Sequence, residues 1–128
     1  MGTFQYSVAV GNQGRTRFGS TDVWVDSGAT YTWLPGSLLR RLGFSPAFRR
    51  SFRFADRSTV QRELAQVPIR IGEEVLNTVV VFGDDNSAGL LGAVTMEEFS
   101  LGVDPVKHTL VPVVARATHA GATEDGVS

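Results

Sequence analysis

Asp26 is the residue of this sequence best placed to do chemistry. It follows an apolar, strand-like segment that ends at Val25 and precedes Ser27 and Gly28, so its carboxylate is expected on a tight turn at a strand end. Glycine in such a turn lets the backbone approach a bound molecule closely. A carboxylate there could act as a general acid or base. The same residues also suit a turn former whose side chain caps its own loop, and the turn alone leaves both interpretations open.

Other reactive side chains are scarce. The chain has no cysteine, which excludes thiol nucleophiles and cysteine-ligated metal centres, and its two histidines, His108 and His119, leave little room for a metal site. Ser27 is not in a Gly-x-Ser-x-Gly elbow, so a serine nucleophile is not indicated. Asp84 and Asp85 lack the ligand spacing of a calcium loop. We therefore expect no metal ion and no organic cofactor.

The surrounding pattern is typical of an all-β domain. Valine and threonine are frequent, and glycine, aspartate and asparagine interrupt the apolar runs at short intervals. Extended segments are predicted over residues 3–10, 15–25, 48–55, 59–71 and 75–82, with one or two closing strands within residues 103–114. Residues 36–43 fit a short helix that ends at Gly43, and a capping box of Thr95 and Glu98 predicts a second short helix.

Three segments in this pattern carry a family resemblance. In chain order they are Val25-Asp26-Ser27-Gly28-Ala29-Thr30, Leu34-Pro35 and Leu90-Leu91-Gly92. Their order and spacing resemble the retropepsin-like aspartic proteases, the single-lobe family of retroviral proteases and their bacterial and archaeal relatives. The resemblance covers about residues 3–114. It implies an all-β, closed-barrel-like acid-protease fold with one or two short helices.

The resemblance also implies roles for the residues around Asp26. Asp26 would be the catalytic aspartate, and the Ser27 hydroxyl would bond across to the active-site loop of a partner chain. Gly28 would offer its carbonyl to the substrate. Ala29 and Thr30 would complete the active-site loop, with Thr30 standing where retroviral members carry an acidic residue that binds the substrate backbone.

The resemblance also implies roles for two further segments near this loop. The apolar turn formed by Leu90, Leu91 and Gly92 would pass beneath it and hold it in place. A hairpin tip would form the flap that closes over bound peptide, and its residues are Ala55, Asp56, Arg57 and Ser58. This tip has less glycine than retroviral flaps, and Asp56 is its one residue that we expect to suit a positive φ.

The chemistry expected of such a site requires two carboxylates. Amide hydrolysis by carboxylates needs one ionised group to take a proton from water and one protonated group to polarise the carbonyl. A proton shared by two adjacent carboxylates supplies both roles, the arrangement for which aspartic proteases are the standard example. The chain has no second Asp-Ser-Gly or Asp-Thr-Gly. We therefore predict a homodimeric aspartic endopeptidase that pairs Asp26 from each chain, hydrolyses peptides without a covalent intermediate and works best at mildly acidic pH.

A second interpretation stays open. A catalytically weak or inactive domain of the same fold could serve dimerisation or bind a peptide strand. The intact Asp-Ser-Gly-Ala loop favours the enzyme, because a binding module has no use for a buried pair of carboxylates that lowers stability.

Arginines are concentrated in the middle of the chain. Within residues 40–62 there is one acid, Asp56, and there are seven arginines: Arg40, Arg41, Arg49, Arg50, Arg53, Arg57 and Arg62. They suit a solvated surface, or they direct the cleft towards acidic substrate segments or an acidic partner through Arg53 and Arg57. The formal net charge of −1 argues against a nucleic-acid partner.

The length and hydropathy of the chain suit one globular domain. We expect a protease domain over residues 1–116 and a disordered, glycine- and alanine-rich tail over residues 117–128. No apolar run approaches the roughly 18 residues needed to span a membrane, and the N-terminus lacks the pattern of a signal peptide. We therefore expect a cytoplasmic protein with no membrane partner.

Overall fold

The computed structural model describes residues 4–115 and 117 of the 128-residue chain. In this part the chain forms nine β-strands and two short α-helices. The strands are β1 (Gln5–Gly11), β2 (Phe18–Val25), β3 (Thr32–Pro35), β4 (Phe48–Arg53), β5 (Thr59–Ile71), β6 (Glu74–Gly83), β7 (Gly89–Leu91), β8 (Leu101–Asp104) and β9 (Thr109–Pro112). The helices are α1 (Gly36–Arg41) and α2 (Ala93–Glu98).

Six of the strands close into a barrel. Their order is β1-β2-β7-β3-β6-β5, and β5 returns to β1 through the antiparallel pairs Ala9↔Arg70 and Val10↔Ile69. Strand β4 pairs with the first half of β5, so the β4–β5 hairpin extends beyond the barrel. Strands β8 and β9 form a separate two-stranded sheet. The predicted all-β, closed-barrel-like fold with one or two short helices is confirmed, and two helices are present.

Aliphatic side chains fill the barrel. Val23, Val67, Ile69 and Val80 are fully buried, and Met96 of α2 joins the same core. Burial of each such aliphatic side chain contributes about 2 kcal/mol to the free energy of unfolding. The core thus holds together strands that are distant in sequence.

Two element boundaries show how local bonds modify the predicted pattern. The strand predicted over residues 15–25 begins only at Phe18, because Asn12 Oδ1 accepts hydrogen bonds from the amides of Thr16 (2.8 Å) and Arg17 (3.1 Å). These bonds hold residues 12–17 in a turn. The predicted helix over residues 36–43 is α1, and Gly43 follows it with a φ of 97° that favours glycine.

Strand β7 lies between β2 and β3 and positions the loop that joins them. It runs parallel to β2 and antiparallel to β3. Directly after β7, Gly92 packs against the backbone of Tyr31 so closely that a Cβ at Gly92 would overlap the Tyr31 carbonyl group. Only glycine therefore fits at position 92.

Three buried threonines connect this region to the rest of the barrel. The Oγ1 atom of Thr95 lies 2.7 Å from that of Thr32 and 2.9 Å from that of Thr78. Thr32 Oγ1 accepts a hydrogen bond from the Gly92 amide (3.1 Å), and the Thr78 hydroxyl donates to Glu98 Oε1 (2.6 Å). Each hydroxyl has a single proton, so the three hydroxyls donate in one direction, towards Glu98.

The same bonds explain why the predicted capping box is wrong. The side chains of Thr95 and Glu98 both bond within the threonine chain, and α2 begins at Ala93, two residues before Thr95, without a side-chain cap. Tertiary contacts have displaced a local bond that the sequence alone favoured.

A tight turn forms the tip of the β4–β5 hairpin. The Arg57 amide donates to the Phe54 carbonyl and the Phe54 amide donates to the Ser58 carbonyl, both at 2.9 Å. The expectation that Asp56 takes a positive φ is wrong, because Arg57 does so, at 71°. Asp56 Oδ1 instead accepts bonds from the amide (2.9 Å) and hydroxyl (2.6 Å) of Ser58, which leaves Arg57 at the bulge position where hairpins favour glycine.

Neither helix of the described residues is long and apolar enough to cross a membrane. The tail predicted over residues 117–128 lies outside the described residues, apart from Ala117.

We expect Gly92→Ala to lower the free energy of unfolding by about 3 kcal/mol, because the added methyl group must displace the Tyr31 backbone. Gly19→Ala is the matched control, since a Cβ at Gly19 meets nothing within 4 Å. Urea unfolding of both variants measures the effect. Equal stability of the two variants would contradict the close approach at Gly92.

We expect Arg57→Gly to raise the free energy of unfolding by about 0.5 kcal/mol, because relief of the left-handed backbone outweighs the extra entropy of glycine in the unfolded chain. Arg53→Gly is the control in the same hairpin, where the strand backbone is extended and glycine should destabilise by about 1 kcal/mol. Thermal unfolding ranks the two variants, and the reverse order would refute strain at Arg57.

Candidate active site

Asp26 follows β2 directly and is partly buried at the floor of an open cleft. Its amide donates to the Leu91 carbonyl (3.0 Å), and its carbonyl accepts from the Ala29 amide (3.1 Å). Its carboxylate oxygen Oδ1 accepts a hydrogen bond from the Gly28 amide (3.0 Å). The side chain thus caps its own loop, as the turn interpretation expects, and the same bond orients the carboxylate.

The segment after β7 pins the remainder of the active-site loop. The Ala29 carbonyl accepts a bond from the Ala93 amide (2.8 Å), and the Thr30 carbonyl accepts one from the Val94 amide (2.9 Å). These bonds join backbone groups more than 60 positions apart. The loop is therefore fixed at both ends, while Ser27 stays exposed to solvent.

The apolar turn predicted to support the loop lies against it. Leu91 is fully buried and offers its carbonyl to the Asp26 amide. Leu90 lines the cleft beside Asp26, and Gly92 packs on the backbone that leaves the loop. The structure thus places Leu90, Leu91 and Gly92 next to the loop that contains Asp26.

The cleft has a volume of about 570 Å³ and two facing walls. The active-site loop forms one wall, and residues 50–54, at the end of β4, form the other. Phe52 joins the walls, because its ring makes edge-to-face contacts with Tyr31 (6.2 Å) and Trp33 (5.2 Å). Tyr31 and Phe52 were not predicted from the sequence, although the even spacing of Phe48 and Phe52 puts both on one face of β4 and was a usable signal.

The predicted flap residues lie beyond this cleft. Ala55, Asp56, Arg57 and Ser58 are exposed, and the lining of the cleft ends at Phe54. The Ser58 hydroxyl, and then the Ser58 amide, stabilise the ionised side chain and lower the pKa of Asp56. A carboxyl whose pKa is lowered on folding stabilises the turn above its ordinary pKa and loses that effect as pH falls through the lowered value. The tip therefore keeps these bonds at mildly acidic pH.

The arginines of residues 40–62 differ in the groups that their side chains contact. Three of them have acidic partners, in the pairs Arg40–Glu63 and Arg49–Glu63, both at 3.7 Å, and Arg62–Asp84 at 3.0 Å. Arg50 and Arg53 instead line the cleft beside Asp26. Arg57 lies at the hairpin tip, and Arg41 is the exposed last residue of α1. The cluster is therefore not one uniform surface.

The acidic residues after β6 serve structural bonds. Asp84 pairs with Arg62, and Asp85 Oδ1 accepts a bond from the Ser37 amide (2.8 Å) at the start of α1. Across residues 4–115 and 117, no three histidine, aspartate or glutamate side chains gather as a metal site would require.

Solved structures of two viral proteases share this fold. The solution structure of Simian Foamy Virus (mac) protease is 14% identical with a TM-score of 0.54, and the match covers 75% of this chain and 94% of that one. EIAV protease in complex with the inhibitor HBY-793 is 18% identical with a TM-score of 0.50, and the match covers 76% of this chain and 88% of that one. At these identities the likeness is one of fold.

The family assignment comes from the sequence of the barrel itself. No curated protein matches this chain significantly. The aspartyl protease family model matches residues 8–95, a span that holds Asp26 with its loop, the β4–β5 hairpin and the turn at Gly92. The chain therefore belongs to the aspartyl protease family, and its fold is the single-lobe fold of the viral proteases.

Proposed function

We propose that the protein is a homodimeric aspartic endopeptidase that hydrolyses peptide bonds with a water molecule activated by Asp26 of each protomer. One observation carries this proposal: in a chain of the aspartyl protease family, Asp26 lies at the floor of a cleft with its carboxylate oriented by the Gly28 amide.

The reaction follows from one proton shared by two carboxylates. The ionised carboxylate takes a proton from water as the water oxygen attacks the peptide carbonyl carbon, and the protonated carboxylate gives its proton to the carbonyl oxygen. The tetrahedral intermediate then collapses as the first carboxylate gives the proton it took from water to the amide nitrogen, which leaves as an amine. The second carboxylate takes the proton of one hydroxyl of the intermediate, whose oxygen becomes the carbonyl oxygen of the new carboxyl group. No covalent bond to the protein forms, and the dyad returns to its starting state.

The surface beside Asp26 supports a two-fold dimer. Ser27 and Gly28 are exposed, and Trp24, two residues before Asp26, has 38% of its surface exposed. A second copy would cover this large aromatic side chain, which is costly to leave in water. Two-fold symmetry would also bring the same loop from each chain to the axis, where the two Asp26 carboxylates meet.

The active dyad is proposed to carry one proton for the pair. Activity should therefore be highest at mildly acidic pH and fall when both carboxylates ionise. The flap turn at Asp56 suits this range, because the lowered pKa of Asp56 keeps its bonds to Ser58 intact there.

Asp26→Asn is expected to abolish cleavage of an unfolded protein substrate between about pH 4 and pH 7, because an amide cannot take the proton of the attacking water. Asp22→Asn, the same change at an exposed position of β2, should retain activity. Sedimentation of the Asp26 variant should still detect a dimer. Substantial turnover by Asp26→Asn would remove Asp26 from the mechanism.

A mixing experiment with wild type and Asp26→Asn tests whether both protomers contribute Asp26 to the active site. In an equal, exchanged mixture of wild type and Asp26→Asn, only about one quarter of the dimers contain two aspartates. The reference is the activity of the same amount of wild-type protein without the variant. Activity in the mixture should fall to about half of that value, because half of the wild-type chains are in mixed dimers. Activity that is unchanged by the added variant would show that one chain acts alone.

A further inference from the structure

The cleft beside Asp26 carries more positive than negative charge. Its lining residues include two arginines, Arg50 and Arg53, and a single acid, Asp26. With one proton shared between two Asp26 side chains, a dimer would hold one negative charge against the cleft arginines of both protomers. A peptide that enters the cleft therefore meets a positive potential.

The register of β4 directs Arg50 into the cleft. Side chains alternate along a strand, so Arg50 shares a face with Phe48 and Phe52. Phe52 contacts Trp33 within the cleft, which identifies this face as the inner one. The Arg50 guanidinium lies 4.7 Å from the centre of the Phe48 ring and donates to the Arg49 carbonyl (2.8 Å). Arg50 is therefore held in place by groups that carry no negative charge.

The neighbouring arginine has a different environment. Arg49 points to the opposite face and lies 3.7 Å from Glu63. The carboxylates of Glu63 and Asp84 pair with Arg40, Arg49 and Arg62, and not with Arg50 or Arg53. A guanidinium beside aromatic walls binds a carboxylate more strongly than one in open water, and its planar fork can bond both carboxylate oxygens.

We propose that this cleft selects peptides with an aspartate or glutamate side chain within a few residues of the scissile bond. Arg50 is the main specificity-determining residue. Arg53 is the second: it shares the face of Arg49, but it is the last residue of β4 and lines the cleft there. Tyr31, Trp33 and Phe52 bind apolar neighbours of the acidic residue. This inference rests on the peptidase function proposed above and adds the class of substrate.

Matched peptides test the preference. Each set has Glu, Gln or Lys at one position of an otherwise apolar peptide, and the position is moved stepwise along the chain of the peptide. At about pH 6, where glutamate is ionised, the best Glu peptide should have a kcat/KM about tenfold above its Gln counterpart, with Lys lowest. The difference should shrink as salt is added.

Two variants assign the preference to the cleft. Arg50→Gln should bring cleavage of the Glu peptide down towards that of the Gln peptide, and Arg50→Gln with Arg53→Gln should remove the difference. Arg49→Gln is the matched control on the outer face and should keep the full preference. Equal cleavage of Glu and Gln peptides by wild type, or a preference unchanged in the double variant, would overturn the inference.

Binding separates this inference from the peptidase proposal. Fluorescence anisotropy of the same peptides with Asp26→Asn requires no turnover. Tighter binding of the Glu peptide without any cleavage by wild type would refute the peptidase and keep the acidic preference. Equal binding of Glu and Gln peptides, or no binding of either, would refute the acidic preference whether or not wild type cleaves peptides.

Discussion

The attachment of the Asp26 loop to the segment that follows β7 is the constraint on which the rest of this structure depends. The amides of Ala93 and Val94 donate to the loop, and the Asp26 amide donates to Leu91, the last residue of β7. These bonds require the two backbones to lie so close that position 92 has no room for a Cβ. A carboxylate on a flexible turn would have many orientations, whereas this one is fixed by its own loop and by the barrel behind it.

The order of strands in the barrel follows from this attachment. Strand β7 must lie between β2 and β3 for Leu91 to meet Asp26, so the loop between β2 and β3 passes over the end of β7. The threonine chain that ends at Glu98 ties the same region to β6 and α2. Because its hydroxyls are buried, each needs its partner, and the loss of one would leave another unsatisfied. The rigidity of the site thus comes from hydrogen bonds between segments that pack together only in the closed barrel.

Much of the fold could be predicted from the sequence. Alternating apolar residues and turn residues indicated the strands, and Gly43 indicated the end of α1, because both signals arise from local geometry. The bonds of Thr95 and the positive φ of Arg57 could not be predicted in this way. Thr95 had a plausible local partner in Glu98, yet buried hydroxyls of Thr32 and Thr78 surround it in the barrel. The backbone of Arg57 is set by the bonds between Asp56 and Ser58.

The sequence by itself determined which residue is the candidate for the chemistry and which elements flank it, because a strand followed by Asp-Ser-Gly and a later apolar turn are patterns of neighbouring residues. Only the tertiary structure decided what faces Asp26. Phe52 and the cleft arginines come from β4 and Tyr31 comes from the loop before β3, and their side chains meet because the β4–β5 hairpin packs against this loop. Contacts of this kind depend on strand register and closure, which are properties of the whole barrel, and no local pattern encodes them.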